Sequence, residues 1–95
     1  HEKLYSDALS AVKMSFTGET PTGTFACTAK FRYRQVDTPV EVEMREDGTA
    51  YIKFAEPQRA ITPGQAVVLY DGEVCLGGGT IDEVFKEAEK LTYVG

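Results

Sequence analysis

The sequence predicts an all-β fold: a small closed antiparallel barrel of about six strands, followed by a short C-terminal helix. Three observations predict it. Short apolar runs alternate with polar residues at period two through most of the 95 residues. Glycine and proline turn signals separate these runs at close spacing, and a helical period appears only after Thr80. Closing such a set of strands into a barrel removes the exposed edges on which other chains would pair.

His1 to Tyr5 is polar and lacks a pattern, whereas Leu9, Val12, Met14 and Phe16 suit a first strand. Thr17 to Gly23 holds two glycines and a proline and reads as a loop. Thr24 to Arg34 is the clearest strand. Phe25, Cys27, Ala29, Phe31 and Tyr33 occupy one phase, with Thr24, Ala26, Thr28, Lys30, Arg32 and Arg34 on the other. Val36-Asp37-Thr38-Pro39 interrupts it, Val40 to Met44 alternates again, and Thr49 to Phe54 returns as a hairpin partner after the turn at Glu46-Asp47-Gly48. Glu56 to Gln65 reads as a connection, because Pro57 and Pro63 lack the N–H a ladder needs and Pro63-Gly64 favours a type II turn.

Ala66 to Tyr70 then reads as a buried strand, and Asp71-Gly72 turns it into the apolar run Val74-Cys75-Leu76. The glycines Gly77-Gly78-Gly79 suit a bulge or a sharp bend where a barrel strand turns a corner. Ile81, Val84, Phe85, Ala88 and Leu91 recur at helical spacing, and Thr80 with Glu83 fits a capping box, which predicts a helix over residues 82–92. Glu83, Glu87 and Lys90 would form its solvated face.

Length and composition bound what such a chain does. Residues 1–95 suit one domain with a modest core. A net charge of -5 argues against a general DNA or membrane-surface binder, so any contact with nucleic acid must be focal. The two cysteines, Cys27 and Cys75, lack the close spacing of a zinc or redox motif and read as buried free thiols, with a disulfide left open. No signal peptide or membrane-spanning run is present, which favours the reducing cytoplasm. The chain starts at His1 rather than at a methionine, as a processed chain or a fragment of a longer protein would.

Residues for self-sufficient catalysis are missing from the sequence pattern. The lone histidine is His1, at a terminus, and Ser6, Ser10 and Ser15 stand in no nucleophile elbow. Glu41, Glu43, Glu46 and Asp47 fall on the outward phase of a strand and its turn, where solvated charge explains them. The triple glycine is followed by no lysine of a phosphate loop, and Cys75 has no neighbouring His or Lys to activate it. The sharpest clue is Lys30-Phe31-Arg32-Tyr33-Arg34-Gln35, which packs three cations and two aromatics into six positions of an acidic chain. Lys30, Arg32 and Arg34 share a strand face and suit phosphate, while the same pattern also fits a solvated face whose Arg stems cover apolar surface.

Three stretches then carry a resemblance: Cys27-Thr28-Ala29-Lys30-Phe31-Arg32-Tyr33-Arg34-Gln35, Glu56-Pro57-Gln58-Arg59-Ala60-Ile61-Thr62-Pro63-Gly64-Gln65, and Tyr70-Asp71-Gly72-Glu73-Val74-Cys75-Leu76-Gly77-Gly78-Gly79. Together they resemble, in order, the C-terminal domain of bacterial tRNA-specific 2-thiouridylases, the MnmA family. The resemblance runs from about His1 to Asp82 and leaves the acidic tail outside it. It implies a barrel like the second domain of elongation-factor GTPases, which helps to hold tRNA. It also implies that the full-length enzyme places sulfur on C2 of the wobble uridine of tRNAs for Lys, Glu and Gln.

The ATP, with Mg, and the two catalytic cysteines of such an enzyme belong to upstream catalytic domains, and a persulfide-donating sulfur carrier or cysteine desulfurase supplies the sulfur. Neither cofactors nor catalytic residues are therefore expected within this chain. The tRNA contacts that the resemblance carries over are Arg32, Tyr33 and Gln65, with Lys30, Arg34, Gln35 and Arg59 as weaker candidates. Arg32 suits a phosphate, Tyr33 stacking or a hydrogen bond, and the Gln65 amide a base edge. Arg32 and Tyr33 fall on opposite faces of a regular strand, a conflict that the end of the strand would relax. The alternative is a non-catalytic structural or protein-interaction barrel that stabilises the catalytic domains.

Overall fold

In the computed structural model, which describes residues 5–31, 38–59, 61–86 and 89–90, the chain runs through β1 (Tyr5–Phe16), β2 (Thr24–Lys30), β3 (Thr38–Met44), β4 (Ala50–Arg59), β5 (Ala66–Asp71), β6 (Val74–Lys86) and the two-residue β7 (Glu89–Lys90). All pairings are antiparallel, in the order β1-β4-β3-β2-β5-β6-β7, and β1 also pairs with β6. That last pairing closes six strands into the barrel that the alternation predicts. Inward positions of every barrel strand fill it: Leu9, Ala29, Val42, Ile52, Val67, Leu69, Ile81 and Val84 are buried, as is Ile61 from the connection before β5.

Turn chemistry fixes the register. Between β3 and β4 the Gly48 N–H donates to the Arg45 carbonyl and the Arg45 N–H to the Thr49 carbonyl, with Gly48 at φ 88°, the pattern of a type I turn closed by a glycine bulge. Between β5 and β6 Asp71 pairs with Val74, and Gly72 takes φ 61° at the first loop position, where a type II′ turn demands a positive φ. Pro63-Gly64 is the central pair of the expected type II turn: Gly64 has φ 93°, and the Gln65 N–H donates to the Thr62 carbonyl at 3.3 Å.

The triple glycine lets β6 lie close to both its neighbours. A Cβ on Gly77 would collide with backbone atoms of Ser15 and Phe16 in β1, and one on Gly78 with the Val67 carbonyl in β5. A bulge accompanies each side: Lys13 and Met14 together oppose Gly79, and Leu76 is the extra residue between the Leu69–Gly77 and Tyr70–Cys75 pairs.

Several expectations are corrected by the same irregularities. Over 82–86 the predicted helix is strand, because β6 continues to Lys86 and 89–90 form β7; the rest of 82–92 lies outside the described residues. Ala11 pairs with Ile81 and Ser10 with Glu83, so Asp82 is a bulge residue. That one extra residue turns Ile81 and Val84 to the same buried side, which imitates a helical period. Another bulge, at Leu76, leaves Cys75 exposed rather than buried, and both cysteines are free. The expected connection from Glu56 instead continues β4 to Arg59, where Gln58 and Arg59 pair with Ser6 and Tyr5. Pro39 lies within β3, starting that strand two residues before Val40, and Tyr5 already belongs to β1. β5 is half-buried rather than buried throughout, with Val67 and Leu69 inside and Ala66 exposed.

Candidate nucleic-acid interface

The cationic-aromatic segment leaves the barrel from an anchored residue. β2 alternates as expected, with Ala29 buried and Ala26 exposed, and runs to Lys30, while 32–34 of the expected strand lie outside the described residues. Phe31 follows with 5% of its surface exposed and packs edge-on against Phe54, ring centres 5.2 Å apart. The chain beyond Phe31 therefore departs from a fixed point at the rim of the core. Arg32, Tyr33, Arg34 and Gln35 themselves lie outside the described residues.

Gln65 belongs to the same end of the barrel. Lys30, the last residue of β2, pairs with Val68 of β5, three residues beyond Gln65. At the usual strand rise, about 10 Å of chain separates the two positions. The exit of β2 and the Pro63-Gly64-Gln65 turn thus flank one end of the β2–β5 ladder. The turn is held firmly: the Gly64 N–H donates to the Ile81 carbonyl at 2.8 Å, and the Ile81 N–H returns a bond to the Gln65 carbonyl at 2.8 Å. The Gln65 side-chain Oε1 accepts the Thr62 N–H at 3.4 Å, while Nε2 has no hydrogen-bond partner among the described residues. Gln65 is thus oriented by its acceptor and offers a donor, which suits a phosphate oxygen or a base carbonyl.

Of the weaker candidates, Lys30 stands closest to this end. Its ammonium lies 5.3 Å from the centre of the Tyr70 ring, across the β2–β5 ladder. Thr28 donates its hydroxyl to the Tyr70 carbonyl at 3.3 Å and ties the same two strands. Sequence reading missed Tyr70 because Ala66 to Tyr70 looks like a uniformly apolar strand, and only the structure shows the half-buried alternation of β5 that presents its ring. Arg59 ends β4, paired with Tyr5, away from the β2–β5 ladder in strand order.

Nothing in the geometry assembles a reactive centre among the described residues. Burial, and secondarily the Asp71 carboxylate, push the half-buried Cys27 thiol up to about 11, so it stays protonated at neutral pH. Among the described residues no cluster of three or more His, Cys, Asp or Glu side chains is placed to hold a metal, and no helix is long and apolar enough to cross a membrane. Shallow depressions beside Phe54, lined by residues such as Asp7, Tyr51, Glu41 and Lys53, open on the β3–β4 and β1–β4 sides and do not include Gln65.

Comparison with known proteins gives this geometry a context. Residues 6–81 match the family described as the aminomethyltransferase beta-barrel domain. A tRNA-specific 2-thiouridylase MnmA of Lysinibacillus sphaericus (strain C3-41) is 72% identical over 96 residues, which cover 100% of this chain and 26% of that protein. The protein of the same name from Listeria innocua is 67% identical over 97 residues, with the same coverage. That from Exiguobacterium sibiricum is 58% identical over 95 residues, covering 99% of this chain and 25% of its own length. The chain thus spans about a quarter of the length of these relatives.

Proposed function

Because the chain belongs to the aminomethyltransferase beta-barrel domain family, and is similar over its whole length to a quarter of proteins named tRNA-specific 2-thiouridylase MnmA, we propose that it is the tRNA-holding C-terminal barrel of such an enzyme. The observation that supports the reading is the shared location of the β2 exit and the Gln65 turn at one end of the β2–β5 ladder. Arg32 and Tyr33 follow that exit directly in sequence. Their cation and ring, together with the Gln65 amide, supply a phosphate contact, a stacking surface and a donor from two short, adjoining segments.

The role is to bind and orient. Catalysis, the ATP with its Mg ion, and the persulfide passed from a sulfur carrier or cysteine desulfurase belong in this reading to the remaining domains of a longer cytoplasmic polypeptide. The substrate is tRNA for Lys, Glu and Gln, thiolated at the wobble uridine. An acidic barrel repels RNA overall, so affinity is shared with those other domains.

The test is tRNA binding by the full-length enzyme as salt is varied. Arg32→Ala should weaken binding and lower the slope of log affinity against log salt by roughly one. Gln65→Ala should weaken binding with little change in slope. Parent affinity and parent slope in both variants would sink the reading in favour of a barrel that only stabilises its neighbours. Crosslinking to tRNA separates the two independently, since only a tRNA-holding barrel yields adducts.

A further inference from the structure

Charge is distributed unevenly around the outside of the barrel. On β3 the outward positions Glu41 and Glu43 are exposed; among the described residues Lys53 of β4 stands opposite Glu41, and Arg45 lies 3.6 Å from Glu43. The outer surface of β2, β5 and the first half of β6 differs. Its outward positions near the β2 exit are Thr28, Lys30, Val68, Tyr70, Gly78 and Thr80, joined across the ladders as Thr28–Tyr70, Lys30–Val68 and Val68–Gly78. No carboxylate falls among these described positions, on a chain with 15 acidic residues against 10 basic ones. Asp71 and Glu73 lie at the hairpin tip beyond one end of the strip, and Asp82 lies beyond the other.

This strip joins the two parts of the site described above. It begins beside Gln65, passes Val68 and its partner Gly78, and reaches the Lys30–Tyr70 pair. From Ala66 to Tyr70 it is about 13 Å long at ordinary strand rise. The Tyr70 ring holds the Lys30 ammonium in one region of the surface, which reduces the ordering cost of a contact made by a flexible side chain.

We propose that Lys30, positioned by the Tyr70 ring, contacts a phosphate of the tRNA, and that the RNA backbone follows the carboxylate-free strip of β2, β5 and β6 between Gln65 and Tyr70 rather than crossing β3. The inference rests on the tRNA-holding role and adds a path and two residues to it. Lys30 is the contacting group, and Tyr70 acts through it. A protein surface is a less fitting occupant because the strip is short, its only charge is cationic, and it adjoins the segment carrying Arg32 and Arg34.

The experiment measures tRNA affinity of the full-length enzyme between 50 and 200 mM salt, with far-UV circular dichroism confirming that each variant is folded. Lys30→Gln should weaken binding roughly three-fold or more and lower the salt slope by about one, and Lys30→Arg should restore both. Tyr70→Leu should weaken binding while Tyr70→Phe, which keeps the ring, should not. Lys53→Gln, on the β3–β4 side, should leave affinity unchanged. If Lys30→Gln keeps the parent affinity and slope while Arg32→Ala or Gln65→Ala loses affinity, this path is wrong and the tRNA-holding role stands. If none of the three weakens binding, both fall. If Lys30→Gln leaves tRNA binding intact but makes the barrel separable from the other domains by limited proteolysis, the strip is a protein contact and the inference is overturned.

Discussion

Met14 occupies the space that a side chain at Gly79 would need. Its sulfur lies within clashing distance of the point where a Cβ would be built, and the Val12 carbonyl crowds the same point from the backbone side. Gly79 faces the two-residue bulge of Lys13 and Met14, and Lys13 takes φ 55°, a left-handed conformation uncommon outside glycine. The glycine and the bulge are therefore one device, with the room left by the first filled by the second.

Gly79→Ala should destabilise the barrel by about 1–3 kcal/mol, the usual range for overpacking. The thioether end of Met14 is able to move, so Met14→Ala should recover part of that loss in the double variant, leaving the clash with the Val12 carbonyl. Gly77→Ala should cost more than Gly79→Ala, because at φ 152° its Cβ would meet only backbone and ring atoms of Ser15 and Phe16 at close range. Denaturant unfolding of the three variants ranks them. A Gly77→Ala barrel as stable as the parent would contradict this account of the β1–β6 contact.

The two thiols should react very differently. Cys75 is exposed, whereas Cys27 is half-buried and its pKa is raised to about 11, first by desolvation and then by Asp71. With Ellman's reagent at pH 8, one thiol should react rapidly, and Cys75→Ser should remove that phase. A thiol that ionises at 9.0 when unfolded but near 11 when folded contributes stability that is fully present below pH 9 and is lost as pH rises toward 11. Cys27→Ala should flatten stability across that alkaline window. Equal labelling rates, or an unchanged alkaline slope, would refute the assignment.

Asp47 should titrate below its ordinary value of 3.8. The Thr49 hydroxyl donates to Asp47 Oδ1 at 2.6 Å, and the Thr49 N–H donates to the same oxygen at 3.0 Å, so both favour the carboxylate, the hydroxyl more strongly. The contribution is present above pH 3.8 and disappears as pH falls through the lowered folded value. Thr49→Val removes the stronger bond, so the Asp47 carboxyl followed by NMR should move toward 3.8 without reaching it. A titration curve identical to that of the parent would show that the hydroxyl bond is absent in solution.

The regular parts of this fold are written plainly in the sequence, and the bulges are what hide the rest. Between Thr24 and Lys30 nothing interrupts the ladder, so Phe25, Cys27 and Ala29 alternate as a reader expects. In β1 the bulge at Lys13 and Met14 changes the phase: Leu9 and Ala11 face the core, and then Met14 and Phe16 do. Asp82 does the same in β6, where Ile81 and Val84 borrow a helix's spacing. A bulge is a relation between two strands, and a single pass along one of them does not contain it. The candidate site follows the same division. Lys30 and Gln65 each carry a local signal, but the Lys30–Val68 pairing that brings their ends together depends on register, as does the role of Tyr70.

The seam that closes the barrel also sets how it responds to force. β1 and β6 run antiparallel, so the start of the first strand and the end of the sixth lie side by side, with Ala8 opposite Phe85 and Leu9 opposite Val84. Tension applied through the two ends of the barrel separates that seam from one side, loading its hydrogen bonds one after another instead of all together. The bulge at Asp82 is among the first irregularities such an opening meets. The closure that seals the core thus opens like a zip, pair by pair along the β1–β6 register.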